Sequence, residues 1–490
     1  MKILLIDPQS SYKAPNLGLL YLCSSLANSK HEPYLLDLNN YPFENPVKRV
    51  TDLIDNLSIK VVGLSITDVS YKWSIDFINK IKKQRKNITI IAGGPQVNII
   101  GKEVFENNEN IDYALKGEGE RSIIDFLDFQ EGNLKEEEDV AGLLYRNNGA
   151  VRENNKGDII DLDSLFFPDY SFLGIEEISG YMVLTSRGCP YRCIFCARNT
   201  GNRWRIRLVD NVIDELKYAI ESLNIKSFRI VDASFNLNEA RVIEFCNKLI
   251  NNNINIPWMV SGIRADRITD KSIEAMKNAG CKMLAMGIET IDPGVFKGIK
   301  KGEKLEDIFN AIRICKKFKL EVGYYMILGL PGDNYERSIK YARKLQELRP
   351  DYVMYNQAVP FRGTDLYDWV KENGQFNSEF TWQQTRDYEK PAYWTDEFSI
   401  NERLKAFRII QTIVKVINFA SRKPDDLGIL IKEIKQNDPD SLDYHLSYIG
   451  NTLEQNVDEK NTIKHIHKET DFKYLEDYNG CFDIKARRMI

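Results

Sequence analysis

At 490 residues the chain exceeds one ordinary domain and has material for about three, each able to bury a core. Hydrophobic residues at 43% and charged residues at 28% are globular values, and a net charge of −4 gives no electrostatic reason to expect nucleic acid. No apolar run approaches the ~18 residues that span a bilayer, Met1–Ile6 turns polar at Asp7 too early for a signal-peptide core, and eight scattered cysteines fit reduced thiols of a cytoplasmic chain rather than a disulfide framework.

The first 130 residues alternate apolar runs with amphipathic stretches. Lys2–Ile6, Tyr34–Asp37, Val61–Ser65, Ile88–Ala92 and Tyr113–Gly117 read as strands, and residues 17–27, 71–85 and 120–129 as helices. This rhythm predicts a parallel, doubly wound sheet, whose ligands lie at the carboxyl ends of its strands. The loops falling there are Asp7–Ser11, Ser65–Ser70, Gly93–Asn98 and Gly117–Glu120. Taken alone, Gly93-Gly94-Pro95 need only turn the chain. His31, among charged residues between a helix and a strand, is expected to be solvated.

Residues 130–160 are charged and rich in Asn and Gly, as in a hairpin and a connector. A buried-strand run, Tyr181–Leu184, then leads into Thr185-Ser-Arg-Gly-Cys189-Pro-Tyr-Arg-Cys193-Ile-Phe-Cys196. Three thiolates from one short loop can hold three corners of an iron–sulfur cluster. The next cysteine, Cys246, is fifty residues further on, which leaves one iron open to bind something reactive. A zinc site would want a fourth Cys or His, and no histidine lies between His31 and His445.

A β/α rhythm resumes beyond this loop. Strands at 228–231, 258–261, 283–286, 321–326 and 352–355 alternate with helices at 239–251, 270–279, 306–318 and 338–348. Counting the run at 181–184, six units predict a six-stranded partial barrel, with polar clusters at the strand ends where barrel sites lie. Cys246, Cys281 and Cys315 sit in apolar settings and read as core. Beyond Asn373 the aromatic residues Trp382, Tyr388, Tyr393 and Trp394 either wall a substrate pocket or pack the open barrel edge. Residues 401–422 form a helix with an apolar stripe. His445, His465 and His467 read as surface residues and Cys481 as a bystander.

The cysteine loop resembles the signature of the radical S-adenosylmethionine (SAM) superfamily. Phe195, before the last cysteine, matches the aromatic often found there beside adenine. The resemblance implies that Cys189, Cys193 and Cys196 ligate a 4Fe–4S cluster whose open iron is chelated by SAM. It also implies SAM contacts from Asp232, Ser261, Arg264, Glu289 and Leu328. The phrases Leu17-Gly-Leu-Leu-Tyr-Leu22, Val62-Gly-Leu-Ser65, Ala92-Gly-Gly-Pro95 and Lys116-Gly-Glu-Gly-Glu120, coming ahead of such a loop, are similar to the cobalamin-binding domain of the cobalamin-dependent radical SAM class. That implies cobalamin contacts at Asp7, Ser65, Thr67, Gly93, Gly94, Pro95, Gly117 and Glu118. The chain departs from mutase-type domains in lacking Asp-x-His-x-x-Gly, so cobalt is expected to have no protein histidine ligand. It also carries Gln96 where a His often follows Gly-Gly-Pro.

The expected fold is therefore α/β: a Rossmann-like cobalamin-binding domain at 1–135, a linker at 136–175, a partial (β/α)6 radical SAM barrel at 176–372, and a small, mainly helical C-terminal domain at 373–490. The resemblance implies reductive cleavage of SAM to a 5′-deoxyadenosyl radical and methylation of an unactivated carbon by way of methylcobalamin. Cyclisation or ring rearrangement on the same cofactors stays open, as does a radical SAM enzyme that no longer binds cobalamin. A methylthiotransferase-like enzyme fits poorly, since the first domain has only Cys23 and the tail is not basic. A non-catalytic corrinoid carrier fits poorly with an intact three-cysteine loop. No side chain need act as a nucleophile. The implied partners are a small-molecule or natural-product substrate and a flavodoxin- or ferredoxin-type electron donor.

Overall fold

The computed structural model describes residues 1–449 and 452, except 11–13, 107, 134–135, 156, 158, 175–177, 179, 199–200, 379, 381–389 and 423–426. Its first layer begins with β1 (Lys2–Asp7), α1 (Leu17–Ala27), β2 (Glu32–Asp37), α2 (Pro46–Leu57), β3 (Val61–Ser65) and α3 (Tyr71–Gln84). It continues with β4 (Thr89–Gly93), α4 (Pro95–Ile100), β5 (Tyr113–Leu115) and α5 (Gly119–Gln130). The strands are buried on both faces, as strands flanked by helices must be. Local chemistry sets the helix starts: Asn16 Oδ1 accepts from Leu19 N at the head of α1, and Asn45 does the same for α2, with Pro46 just inside.

The strand order is β2-β1-β3-β4-β5-β6-β7, with β6 (Leu143–Asn147) and β7 (Ala150–Glu153) added antiparallel at the β5 edge. The hairpin expected in the connector thus extends this sheet to residue 153. The order reverses between β1 and β3, so the crevice for a ligand lies at their carboxyl ends.

The second layer is a sheet of six parallel strands in the order β15-β14-β13-β12-β11-β8. These strands are β8 (Tyr181–Val183), β11 (Phe228–Ile230), β12 (Trp258–Ile263), β13 (Cys281–Glu289), β14 (Glu321–Leu328) and β15 (Tyr352–Gln357). Between β8 and β11 a small antiparallel pair, β9 (Ser186–Arg187) and β10 (Arg205–Ile206), encloses the cysteine loop. The intervening helices are α6 (Val209–Leu223), α7 (Glu239–Asn251), α8 (Asp270–Asn278), α9 (Pro293–Gly298), α10 (Leu305–Lys317) and α11 (Tyr335–Glu347), and α12 (Asp365–Asn373) follows β15. Cys246, Cys281 and Cys315 are buried within this layer, beside one another.

The free edge of β15 is covered by α13 (Ile400–Arg422), whose Asn418 side chain accepts from Val353 N at 2.9 Å and donates to Val353 O at 3.1 Å. Gln411 adds a bond to Tyr355 O at 2.9 Å, so backbone groups that would otherwise invite another strand are occupied. Phe407, Ile410, Val414 and Ile417 form the buried stripe of this helix. Tyr393 is buried against it, whereas Trp382, Tyr388, His465, His467 and Cys481 lie outside the described residues.

Two histidines depart from their expected exposure. His31 is buried because its ring lies 3.2 Å from Asp128, on α5, and 3.2 Å from the Met1 amine. His445 is buried because its Nε2 lies 3.0 Å from Asp438, itself bonded by Arg343 at 2.9 Å. His31 has charged sequence neighbours, and for both histidines the carboxylate partner comes from outside their own element.

Candidate functional site

The carboxyl ends of β1, β3 and β4 converge. Asn16 Nδ2 donates to Asp7 at 2.8 Å and to Ser65 Oγ at 3.3 Å, so one amide ties two strand ends. Gly93 O accepts from Ile66 N at 2.8 Å, and Gln96 N donates to Ile66 O at 2.9 Å, before Pro95 starts α4. Gly94 has φ +91°, and a Cβ there would lie 2.8 Å from Ile66 N, so neither conformation nor space admits a side chain. Thr67 caps the next turn by accepting from Ser70 N at 3.3 Å.

Gly117, with φ +112°, faces open space at the same rim, its N–H held by Asn98 Oδ1 at 2.6 Å. Gln96 is buried with its Oε1 unpartnered. Asp68, to which the Gln96 side chain bonds, has its carboxyl pushed up to about 6 by burial. A rim of exposed backbone with an orphaned amide oxygen beside it suits a flat, polar-edged cofactor.

The rim of the second sheet is built from side chains. Ile194 pins the cysteine loop: its side chain is buried, its N–H donates to Ile299 O at 3.1 Å and its carbonyl accepts from Leu366 N at 2.9 Å. Cys189, Cys193 and Cys196 carry free thiols close enough to act on one another's charge. Burial pushes the Cys193 thiol up to about 12 and raises that of Cys196, so both favour the neutral thiol until cationic charge arrives. Phe195 is half-buried against the core, between Ile194 and Cys196.

Asp232, at the end of β11, is fully engaged. It accepts from Thr185 N at 2.7 Å, Thr185 Oγ1 at 2.6 Å and Ser186 Oγ at 2.6 Å, and so organises the approach to the cysteine loop. Burial still raises its carboxyl pKa against those bonds. Ser261 receives Arg229 at 2.9 Å. The Arg264 guanidinium stacks 3.3 Å from the centre of the Tyr191 ring, inside the cysteine loop, and bonds Asp266 at 2.9 Å and Lys301 O at 3.1 Å.

Glu289 occupies the left-handed region at φ +67°, beside an irregularity in the β13–β14 register. That is a conformation an L side chain adopts at a cost of ~1–3 kcal/mol. Burial holds its carboxyl above the usual range despite Lys301, 3.7 Å away. The Leu328 side chain is buried and its carbonyl accepts from Ala358 N at 2.8 Å. The following Gly329 carbonyl is covered from the C-terminal side by the Tyr393 hydroxyl and by Arg403 at 3.3 Å.

The five strand-end candidates of the second sheet thus share one rim, and Asp7, Ser65, Thr67, Gly93, Gly94 and Gly117 share the other. Glu118 behaves differently: its carboxylate meets Arg187 at 3.2 Å and Arg205 at 3.0 Å. Sequence reasoning missed Arg187, Arg205, Tyr191, Ser234 and Lys301. Ser234 Oγ lies 3.3 Å from Cys189 Sγ, and Lys301 is buried between Glu303, at 3.0 Å, and Glu289. Lys301 follows Lys300 in sequence and reads as a solvated charge. Arg187, two residues before Cys189, was the one readable signal.

The donor sets fit the groups they imply. The described cysteines outside the loop, Cys23, Cys246, Cys281 and Cys315, are all buried in the cores, so the three loop thiols leave a cluster corner open. At the first rim, Gly117 faces open space and the buried Gln96 leaves its Oε1 without a partner, which fits a polar-edged cofactor approaching backbone.

Comparison with known proteins agrees. Residues 183–345 match the radical SAM superfamily and residues 6–127 match the B12 binding domain. An uncharacterized methyltransferase of Pyrococcus horikoshii is 30% identical over 395 residues, 76% of this chain and 84% of that protein. An anaerobic magnesium-protoporphyrin IX monomethyl ester cyclase of Synechocystis is 24% identical over 392 residues, 76% and 78% of the two chains. Among solved structures, the radical SAM methyltransferase TsrM of Kitasatospora setae, with cobalamin and a [4Fe–4S] cluster bound, superposes with TM-score 0.67 at 14% identity, covering 93% of this chain and 99% of that one. At that identity it shares the fold. Among the described residues no helix is long and apolar enough to cross a membrane. The chain belongs to the cobalamin-dependent radical SAM enzymes of the methyltransferase family, whose cofactors are a 4Fe–4S cluster, SAM and cobalamin.

Proposed function

We propose that this enzyme methylates an unactivated carbon of a small organic substrate, with Cys189, Cys193 and Cys196 as the cluster ligands. The observation that carries this reading is the pairing, on one chain, of an open three-thiol loop with a glycine-rich rim at the carboxyl end of a doubly wound sheet. When bound, the cluster and SAM supply a 5′-deoxyadenosyl radical and cobalamin supplies the methyl group.

The protein's part is placement. Ile194 and Asp232 hold the cysteine loop at its middle and its base. Glu289, turned by its left-handed backbone, offers its buried carboxyl to the ribose or amino group of SAM. Arg264 and Ser261 brace this rim through Tyr191 and Arg229. Asp7, Ser65, Thr67, Gly93, Gly94, Pro95 and Gly117 would line the cobalamin site, with the buried Gln96 beside them. No nucleophilic residue is needed: the described histidines, His31 and His445, both have carboxylate partners outside the two rims. A low-potential flavodoxin or ferredoxin delivers the electron.

The test is an anaerobic incubation of the reconstituted enzyme with reductant, methyl-deuterated SAM and a metabolite extract. The expected result is a product carrying the deuterated methyl group together with 5′-deoxyadenosine, both absent with Cys193→Ala. Formation of 5′-deoxyadenosine with an unlabelled, altered product would place the enzyme instead with the cyclase relatives.

A further inference from the structure

The cysteine loop is closed at its base by β9 and β10, and their register sets Arg187 directly opposite Arg205. Like charges facing each other across a strand pair are destabilising on their own. The charge that offsets them comes from the other sheet. Glu118 accepts from Arg187 at 3.2 Å and from Arg205 at 3.0 Å, and Glu120 accepts from Arg187 at 2.6 Å. The Arg187 guanidinium also lies 5.1 Å from the centre of the Tyr21 ring, on α1.

Arg187 and Glu120 are buried, and Arg205 and Glu118 mostly so. Burial opposes the charge on Glu118, but the two arginines outweigh it and hold its carboxyl below the usual range. Glu118 sits in the turn that follows β5 and carries Gly117, and Glu120 in the first turn of α5 directly after it. The turn that borders the cobalamin hollow is therefore the counterion of the hairpin that carries the cluster thiols.

We propose that Glu118, Glu120, Arg187 and Arg205 form a positioning clamp that sets the spacing between cobalt and the iron–sulfur cluster, and that Glu118 serves this clamp instead of contacting cobalamin. The clamp acts through the loops it joins and touches no reacting atom. Spacing matters because a misplacement of about 1 Å between reacting partners can cost on the order of a hundredfold in rate. The proposal rests on the two cofactors alone, and its test uses no substrate. It therefore stands whether the product is methylated or cyclised.

The experiment uses the full chain, anaerobically loaded with cluster and cobalamin. Iron and cobalt are counted, and microwave-power saturation of the cob(II)alamin electron paramagnetic resonance signal is recorded with the cluster oxidised and then reduced. In the wild type, reducing the cluster should speed cobalt relaxation. Glu118→Gln keeps the side chain's shape but removes the charge between the two arginines. It should retain both metals and lose that enhancement, and adding Arg205→Gln, which removes one of the opposed charges, should restore part of it.

Wild-type enhancement in Glu118→Gln would overturn the clamp. So would loss of cobalt with unchanged enhancement in the fraction still loaded, which would make Glu118 a cobalamin contact. If Glu118→Gln does not fold, Arg205→Gln alone breaks the same contact and is read by the same two criteria. A wild-type chain that holds no cobalt would instead strike at the cofactor assignment, and shows before any variant is made.

Discussion

At the rim of the first sheet the site exists because side chains are missing; at the rim of the second it exists because they are crowded and satisfied. Gly94 lets the backbone pack where no side chain fits, and Gly117 leaves open space at the rim. Around the cysteine loop, by contrast, Asp232, Arg264 and Glu289 are buried and engaged with neighbouring residues. The difference suits the ligands. A large preformed cofactor needs a hollow, whereas three thiols must be held rigidly in one geometry while the fourth corner stays open.

This contrast breaks most readily at Asp232. Asp232→Ala leaves the Thr185 N–H and two hydroxyls without their acceptor in a buried place, and should cost about 3–4 kcal/mol in a urea melt, with loss of iron on reconstitution. A cost under about 1 kcal/mol would mean that the second rim does not depend on its polar network.

The first rim should fail sterically instead. Gly94→Ala, at φ +91° and 2.8 Å from Ile66 N, should cost about 1–3 kcal/mol and abolish cobalt retention while iron loading persists. Persisting cobalt would show that the hollow lies elsewhere.

Asp68 sharpens the comparison through pH. Its folded pKa, about 6, is raised by burial, so the folded state binds the proton more tightly than the unfolded chain. Stability then falls as pH rises from the ordinary carboxylate range to about 6, and the penalty is constant above that. Asp68→Asn should stabilise by about 1–2 kcal/mol near pH 7.5 and by much less near pH 4.5. Thermal melts at both pH values check the sign, and an equal gain at both would contradict it.

The smallest effect is expected at another ion pair between the layers, where Arg362 and Glu103 are half-exposed and 3.4 Å apart. Arg362→Ala should change stability by less than about 0.5 kcal/mol. The buried clamp at Arg187 and this exposed bridge join the same two layers, so a large Arg362 effect would move the seam's importance to the wrong side.

What the sequence disclosed follows the same division. Strands were legible because apolar runs end in polar or glycine residues, and α1 and α7 occupy the predicted residues. The cysteine loop was legible because its chemistry is local. Helix α2 was not anticipated, although Asn45-Pro46 is a good start signal. The burial of His31 and His445 and the tie from Glu118 to Arg187 and Arg205 were illegible for one reason. Each joins residues from different elements whose immediate neighbours look solvated. Lys301 was missed likewise, since only the fold places it beside Glu289 and Glu303.

The central claim is that one chain holds both cofactors, with the cluster on Cys189, Cys193 and Cys196. Its most direct test is anaerobic reconstitution of wild type and Cys193→Ala with iron, sulfide and hydroxocobalamin, followed by desalting, metal analysis and absorption spectra. The account predicts about one cobalt in both proteins, and about four irons in the wild type alone. Iron without cobalt in the wild type, or a full cluster in Cys193→Ala, would contradict it.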